Sequence, residues 1–312
     1  MASKLKRLKK VKDKYLLNLL SKKNVRGVSI GFKEKGGSIT DEASIIVYVN
    51  QKEQYSALES EDTIPSKIDG INTDVQLLIP ETTDPDKPRD PQRTKRIRPI
   101  PGGVSIGNVS GQTGTSGCLV KNKKGQIFLI TCAHVGAPSN RLFHSFNPSK
   151  EHYEPVPCYK YCKMPVKINR FCLWYLRRHW NKVDVSLIKP LDETMFTPYI
   201  LGLGYPRGVA DAVLGLPVVK AGCTTGITEG RVIAIEATIN ISFSIKGRLV
   251  PATFDDQIIT DWMGGHGDSG AVLFTKDMMA VGMLFAGFGN ITVYNKMKNI
   301  LKITRTQIIT SL

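Results

Sequence analysis

Three short motifs hold residue types that together can carry out nucleophilic catalysis. Residues 267–270 read Gly-Asp-Ser-Gly, which sets a serine between glycines in a predicted turn. Far upstream, His134 follows an apolar run and Asp184 opens another. A serine hydroxyl is a poor nucleophile at neutral pH, so an imidazole must take its proton during attack and return it to the leaving group. We therefore predict Ser269 as the nucleophile and His134 as the general base.

Such a site also needs a carboxylate and a pair of hydrogen-bond donors. A buried carboxylate holds the imidazole in one tautomer and stabilises the imidazolium. Asp184 is the predicted acid because it begins a run of period-2 alternation, whereas the alternative, Asp192, follows Pro190 in a predicted loop. The amides of Gly267 and Ser269 are predicted to bind the oxyanion, each contributing roughly 10²- to 10³-fold in rate. This chemistry needs no metal and no cofactor.

The chain order His134, Asp184, Ser269 resembles that of the chymotrypsin-like (trypsin-like) serine peptidases. A closer resemblance, to intracellular trypsin-like peptidases of bacteria and plants that include the narrow-leaf-type proteases, is carried by GGVSIGN at 102–108 and KAGCTTGITEGRV at 220–232. It implies a serine endopeptidase that cleaves protein or peptide substrates through an acyl-enzyme intermediate. It also implies a mainly β fold, a double antiparallel β-barrel with a small N-terminal α+β domain and a C-terminal helix, and a site between the two barrels.

The resemblance further implies how the site is activated. In secreted relatives, cleavage creates a new amino terminus that pairs with the aspartate before the nucleophile, here Asp268. The matching position follows Arg98, where Pro99 supplies an imide nitrogen and makes a poor cleavage site. We therefore expect the uncut chain to be active, with Asp268 held by an internal partner.

The resemblance also locates a substrate pocket. Its floor is implied to be Met263, six residues before Ser269, and its walls to come from the strand Gly282–Gly287, including Phe285 and Gly287. A buried carboxylate at the floor is what favours a basic P1 residue, and Met263 is not one. We therefore expect an apolar P1 residue, although Asp261 and His266 are close enough in sequence to intrude.

The elements that position these residues follow from apolar alternation and turn signals. Short strands recur through residues 102–312, the predicted protease domain, as is typical of closed antiparallel barrels, and Asn295–Thr304 predicts a closing helix. Residues 25–80 predict a small α+β domain, and the Pro-rich charged residues 81–101 predict an extended linker. Residues 1–24 predict a basic amphipathic helix whose apolar face docks on the small domain.

A basic, aromatic insertion at residues 137–182 separates the predicted base from the predicted acid. We predict an insertion packed by its aromatic side chains. A tetrahedral zinc site is an alternative that the spacing fits poorly, and its possible ligands are Cys158, Cys162, Cys172 and His179. The run from Trp174 to Trp180 resembles a nucleic-acid-binding patch but lies in no recognised binding motif.

Composition sets the broader limits. The 312 residues are 41% hydrophobic, enough for a full core, and 43 Lys plus Arg against 27 Asp plus Glu give a formal charge of +16. That charge favours a possible anionic partner at a basic surface. The sequence shows no apolar run of signal-peptide or membrane-span length, so we expect a cytoplasmic protein with reduced cysteines and no membrane partner. The alternatives to a peptidase are an inactive protease-fold binding protein and a basic nucleic-acid-binding module.

Overall fold

Antiparallel strands make up most of the fold. The computed structural model describes residues 2–81, 90–108, 113–136, 142–144, 154–156, 158–161, 180–190, 192–245 and 248–310. The first twelve strands are β1 (Val25–Lys35), β2 (Ser38–Val49), β3 (Lys67–Ile68), β4 (Ile71–Leu77), β5 (Ile100–Gly102), β6 (Ser105–Asn108), β7 (Thr113–Thr115), β8 (Leu119–Asn122), β9 (Ile127–Thr131), β10 (Leu142–His144), β11 (Glu154–Val156) and β12 (Cys158–Tyr161).

The later strands complete the same pattern. They are β13 (Ser186–Pro190), β14 (Phe196–Ile200), β15 (Gly208–Val209), β16 (Pro217–Gly222), β17 (Gly226–Ile245), β18 (Arg248–Asp261), β19 (Val272–Thr275), β20 (Met279–Gly287), β21 (Ile291–Lys296) and β22 (Thr306–Ile308). The described helices are α1 (Ala2–Ser21), α2 (Pro91–Thr94), α3 (Ala133–Gly136) and α4 (Met297–Thr304), with single 3₁₀ turns at Tyr55–Ala57 and Glu193–Met195. The mainly β class is confirmed, and the double barrel stays a prediction.

Helix α1 lies against the sheet of the N-terminal unit. Its apolar face buries Leu8, Leu16 and Leu19 in one cluster with residues of β1 and β2, because these leucines recur at helical spacing. The predicted docking of this face is confirmed. Lys12 is also buried, and its ammonium donates to the Glu236 carbonyl at 2.9 Å. No described helix is both long enough and apolar enough to cross a membrane.

One hydrogen-bonded sheet joins the N-terminal strands to strands of the second half of the chain. Its strand order is β16-β19-β20-β21-β18-β17-β1-β2-β4-β3, and β16 also pairs with β17. The junction is an antiparallel pairing of β1 with β17, in which Gly27 lies opposite Ile239 and Gly31 opposite Ala234. The N-terminal unit therefore continues the sheet that carries the second half of the chain.

A second sheet positions the predicted base and acid. Its order is β12-β13-β9-β8-β22, and β9 and β13 are antiparallel, with Thr131 opposite Ser186. The residues just after β9 and those just before β13 therefore lie at the same end of these two neighbouring strands. His134 and Asp184 occupy those two positions.

Two predicted boundaries change in the structure. The closing helix begins at Met297, because Asn295 and Lys296 still pair as the end of β21. The region predicted as an extended linker contains helix α2, which Asp90 caps. The buried guanidinium of Arg93 in this helix donates to the carbonyls of Gly103 and Leu201. Arg93 therefore fixes this part of the predicted linker against Gly103 and Leu201.

The insertion at 137–182 lies mostly outside the described residues. Backbone pairing places β10 beside β6 and β12 beside β13. Of the possible zinc ligands, Cys162, Cys172 and His179 fall outside the described residues, and Cys158 begins β12. The packed insertion, the zinc alternative and the nucleic-acid patch all stay predictions.

Candidate functional site

The structure brings His134 and Asp184 into direct contact. The imidazole Nδ1 of His134 is hydrogen-bonded to Oδ2 of Asp184, with the carboxylate fully buried and the imidazole side chain 27% exposed. Helix α3 carries the histidine, and the irregular segment just before β13 carries the aspartate. One edge of the imidazole is thus fixed, while the ring still reaches the surface.

Asp184 is held by further hydrogen bonds. Its Oδ1 accepts the amide N–H of Ala133 at 2.8 Å and that of His134 at 3.2 Å, while its own amide donates to Oδ1 of Asn295 at 2.7 Å. Asn295 is fixed in turn by Gln257, whose side-chain oxygen accepts from it at 2.6 Å. The Asp184 carboxylate is thus fixed by two backbone amides beside its contact with the imidazole.

The alternative acid, Asp192, has a different role. It is exposed, and its carboxylate accepts the amide N–H of Thr194 at 2.9 Å as the cap of the 3₁₀ turn Glu193–Met195. The structure therefore brings Asp184, and not Asp192, to the imidazole of His134.

The turn around Ser269 contains a glycine in a conformation that other residues rarely adopt. Gly267 has φ of +97°, and a Cβ there would lie 2.3 Å from Oγ1 of Thr224, so only glycine fits. Among the residues that the structure describes, neither the amide of Gly267 nor that of Ser269 donates a hydrogen bond. Both predicted donors are therefore available to a ligand.

Thr115 ties this turn to the sheet that carries His134. Its amide donates to the Ser269 carbonyl at 2.8 Å, and its hydroxyl donates to the Gly267 carbonyl at 2.9 Å. Its own carbonyl accepts from the hydroxyl of Thr131, at the end of β9, at 2.9 Å. Thr115 thus fixes the turn that contains Ser269 relative to β9, the strand that precedes His134.

Asp268 has the internal partner that the sequence led us to expect. The ammonium of Lys220 lies 3.1 Å from Oδ2 of Asp268, and both side chains are fully buried. Thr225 donates its hydroxyl to Oδ2 at 2.6 Å, and the amide of Thr224 donates to Oδ1 at 2.8 Å. These bonds anchor the residue between the two candidate oxyanion donors.

We expect Lys220→Met to lower kcat/KM for a peptide substrate by roughly 10²- to 10³-fold, the effect of losing one oxyanion donor. The change leaves the charge of Asp268 buried without its counter-ion, which should turn the carboxylate and the adjacent amides away. The matched control is Lys276→Met, since Lys276 pairs with Glu229 at an exposed surface. Equal activity of the two variants in steady-state assays would contradict this role.

The same ion pair predicts an alkaline limit to activity. Burial lowers the pKa of Lys220 below its ordinary value of 10.5, although the charge of Asp268 opposes the shift. Lys220 is charged below that pKa and becomes neutral as the pH rises through it, so the pair is lost on the alkaline side. In a pH profile of kcat/KM, we therefore expect activity to fall with a midpoint below 10.5. A plateau that extends beyond pH 10.5 would rule this out.

His134 and Ser269 line one cleft of about 340 Å³. Phe285 and Gly287, both predicted for the substrate pocket, also line it. Met263 is fully buried in the cluster of Val232, Ile258 and Tyr294. It does not line the cleft, whereas the next residue, Gly264, does. The described lining comprises Glu81, His134, Ile241, Ser242, Phe243, Gly264, Gly265, His266, Ser269, Leu284, Phe285, Ala286 and Gly287. The pocket roles of Met263, Phe285 and Gly287 stay predictions.

One set of possible metal ligands exists among the described residues, and it overlaps this site. Ligand atoms of Cys132, His134 and Asp184 lie within 4.8 Å of one another. Burial, aided by the charge of Asp184, raises the pKa of the Cys132 thiol well above its ordinary range, and the thiol donates to the Leu284 carbonyl at 3.0 Å. His134 and Asp184 of this set are the imidazole–carboxylate pair described above.

Several residues of this site escaped sequence reasoning. Four residues of the site form hydrogen bonds to partners more than 45 positions away in the chain, so no local pattern marks them. They are Thr115, Lys220, Asn295 and Glu81. The segment 220–232 was noted only as part of a resemblance. Its lysine in an otherwise apolar strand was the one local signal, since a buried lysine needs a buried counter-charge.

Comparison with solved structures finds bacterial proteases. Protease A of Thermobifida fusca is 18% identical, with 68% of this chain and 99% of that chain covered and a TM-score of 0.48. Nocardiopsis protease is 19% identical, with the same coverage and a TM-score of 0.47, and Cellulomonas bogoriensis chymotrypsin is 18% identical, again with 68% and 99% covered and a TM-score of 0.45. No protein-family model matches the sequence, and no curated protein matches it. The similarity is to the class of protein that the sequence motifs predicted.

Proposed function

We propose that this protein is a serine endopeptidase that uses Ser269 as nucleophile, His134 as general base and Asp184 as the orienting acid. The observation that carries the proposal is the buried Asp184 carboxylate on Nδ1 of an imidazole that opens into the same cleft as Ser269. An aspartate with that role has to be buried and supplied with donors, and this one accepts two amide N–H groups.

The first half of the proposed reaction forms an acyl-enzyme. With Nδ1–H of His134 donating to Asp184, the other ring nitrogen, Nε2, is the base that takes the proton of the Ser269 hydroxyl as its oxygen attacks the peptide carbonyl. The amides of Gly267 and Ser269 donate to the resulting oxyanion. The imidazolium then returns its proton to the leaving amine, and the C–N bond breaks.

The second half repeats these steps with water. His134 takes a proton from a water molecule, whose oxygen attacks the acyl carbon, and the same two amides stabilise the second oxyanion. Collapse releases the carboxylic acid, and the proton returns to the Ser269 oxygen. The net reaction consumes one water and one peptide bond and leaves the enzyme unchanged, so no cofactor enters it.

Labelling with a fluorophosphonate probe tests this proposal against the binding-protein alternative. The probe phosphonylates a serine that a neighbouring base activates and does not react with a merely structural one. We expect one adduct per native chain, located at Ser269 by peptide mass spectrometry, and none on the denatured chain. Labelling at another serine, or none on a folded chain, would favour the binding protein.

A further inference from the structure

A carboxylate from the N-terminal half of the chain lies in the candidate substrate cleft. Glu81 lines the cleft, and a Cβ added at Gly265 would lie 3.2 Å from its Oε1, whereas one added at Gly287 would lie 3.9 Å from its Oε2. The carboxylate thus sits between the segment before Ser269 and the strand β20 that forms the opposite wall. The glycines on both sides leave it room.

Glu81 is held in this position by backbone and side-chain contacts. Its Oε1 accepts the amide N–H of His266 at 3.1 Å. The chain that leads to it is fixed by the loop after β20, where Asn290 donates to the Leu77 carbonyl at 2.9 Å and Gly289 donates to the Ile79 carbonyl at 2.7 Å. This segment places the side chain of Glu81, which is 21% exposed, within reach of solvent and of a ligand.

No other carboxylate lines the cleft among the residues that the structure describes. The imidazole of His266, which also lines the cleft, lies 3.7 Å from Oε2 of Glu81 and is 70% exposed. His134 is already engaged by Asp184. Glu81 therefore supplies the one carboxylate that lines the cleft among the described residues, and a substrate side chain that enters the cleft meets it.

We propose that Glu81 selects substrates with a basic side chain, arginine or lysine, at the residue whose carbonyl Ser269 attacks. This inference rests on the proposed peptidase function and names its substrate class. It replaces the expectation of an apolar P1 residue, which rested on Met263 alone. A carboxylate with one oxygen already bound to the His266 amide retains acceptor sites for a guanidinium or ammonium, and such charge-assisted hydrogen bonds are short and strong.

Two peptide substrates that differ only in charge test the selection. One carries arginine at P1, and the other carries citrulline, its neutral isostere. We expect the wild-type protein to cleave the arginine peptide roughly 10- to 100-fold faster in kcat/KM, and Glu81→Gln to bring this ratio close to one. The matched control is Glu59→Gln, an exposed carboxylate of the same N-terminal unit, which should keep the ratio. A ratio near one in the wild type, or one that Glu81→Gln leaves unchanged, would overturn the inference.

A binding measurement separates this inference from the peptidase proposal. Benzamidine carries an amidinium charge at neutral pH, and benzamide is its neutral counterpart. By calorimetry, we expect benzamidine to bind the wild-type protein and to lose at least tenfold in affinity with Glu81→Gln, with an unchanged Tm as the check on folding. If the affinity for benzamidine falls in this way but the protein hydrolyses no peptide, the inference of a cation site stands and the peptidase proposal is rejected. Binding of benzamidine no tighter than that of benzamide would reject the cation site, whatever the activity.

Discussion

Ser269→Ala should lower peptide hydrolysis about 10⁶-fold, because it removes the atom that forms the acyl-enzyme. The residue is half-buried, and the contacts that fix its turn are made by its carbonyl and by its neighbours, which alanine keeps. We therefore expect the far-UV circular dichroism and the Tm to match those of the wild type. Steady-state assays with the arginine peptide measure the loss.

Ser242 offers a matched control for this change. It lines the same cleft, and Arg26 donates to its hydroxyl at 3.4 Å. Ser242→Ala removes one hydroxyl from the cleft without touching the imidazole–carboxylate pair, so turnover should change only a few-fold. Hydrolysis that survives in folded Ser269→Ala would show that another group is the nucleophile.

Asp184→Asn should lower kcat by about 10⁴, the second-largest effect expected of a single substitution. An amide in this place can donate where the carboxylate only accepts, and it then holds the imidazole in the tautomer that places the proton on Nε2, the nitrogen that we propose as the base. That nitrogen can no longer take a proton. The loss should therefore appear in kcat more than in KM.

Asp192→Asn is the control for this carboxylate. Asp192 caps an exposed 3₁₀ turn, so its loss should leave turnover within about twofold and cost at most about 1 kcal/mol of stability, as for a helix cap. The comparison needs both variants assayed side by side, with their unfolding curves. Normal turnover in Asp184→Asn together with loss in Asp192→Asn would reverse the assignment of the acid.

The local sequence pattern was enough to predict the two strands that flank His134 and Asp184. The apolar run before His134 and the alternating run after Asp184 predicted strands, and both exist as β9 and β13. Their antiparallel pairing is what brings the two side chains together, and no residue in either run specifies that pairing. The predicted roles of His134, Asp184 and Ser269 therefore rest on residue type and order, and the contact between His134 and Asp184 is visible only in the structure.

The remaining features depend on pairings across the whole chain. Glu81 was assigned to a linker because the prolines that follow it dominate the local composition, yet its partner His266 is 185 residues away. Gly27 and Ile239 pair across an even longer span, so the join between β1 and β17 left no local trace either. Sequence reasoning identified the elements, and tertiary contacts decided which of them meet.

The pairing of β1 with β17 predicts what loss of the N-terminal unit would do to the cleft. Strand β17 continues into Ile241 and Phe243 of the cleft, so the N-terminal unit braces the wall beside His134. Trimming that unit away would leave β17 as an open strand edge, which invites association with other chains. It would also remove Glu81. Loss of the N-terminal unit would therefore change both the support of the cleft wall and the charge that the cleft presents.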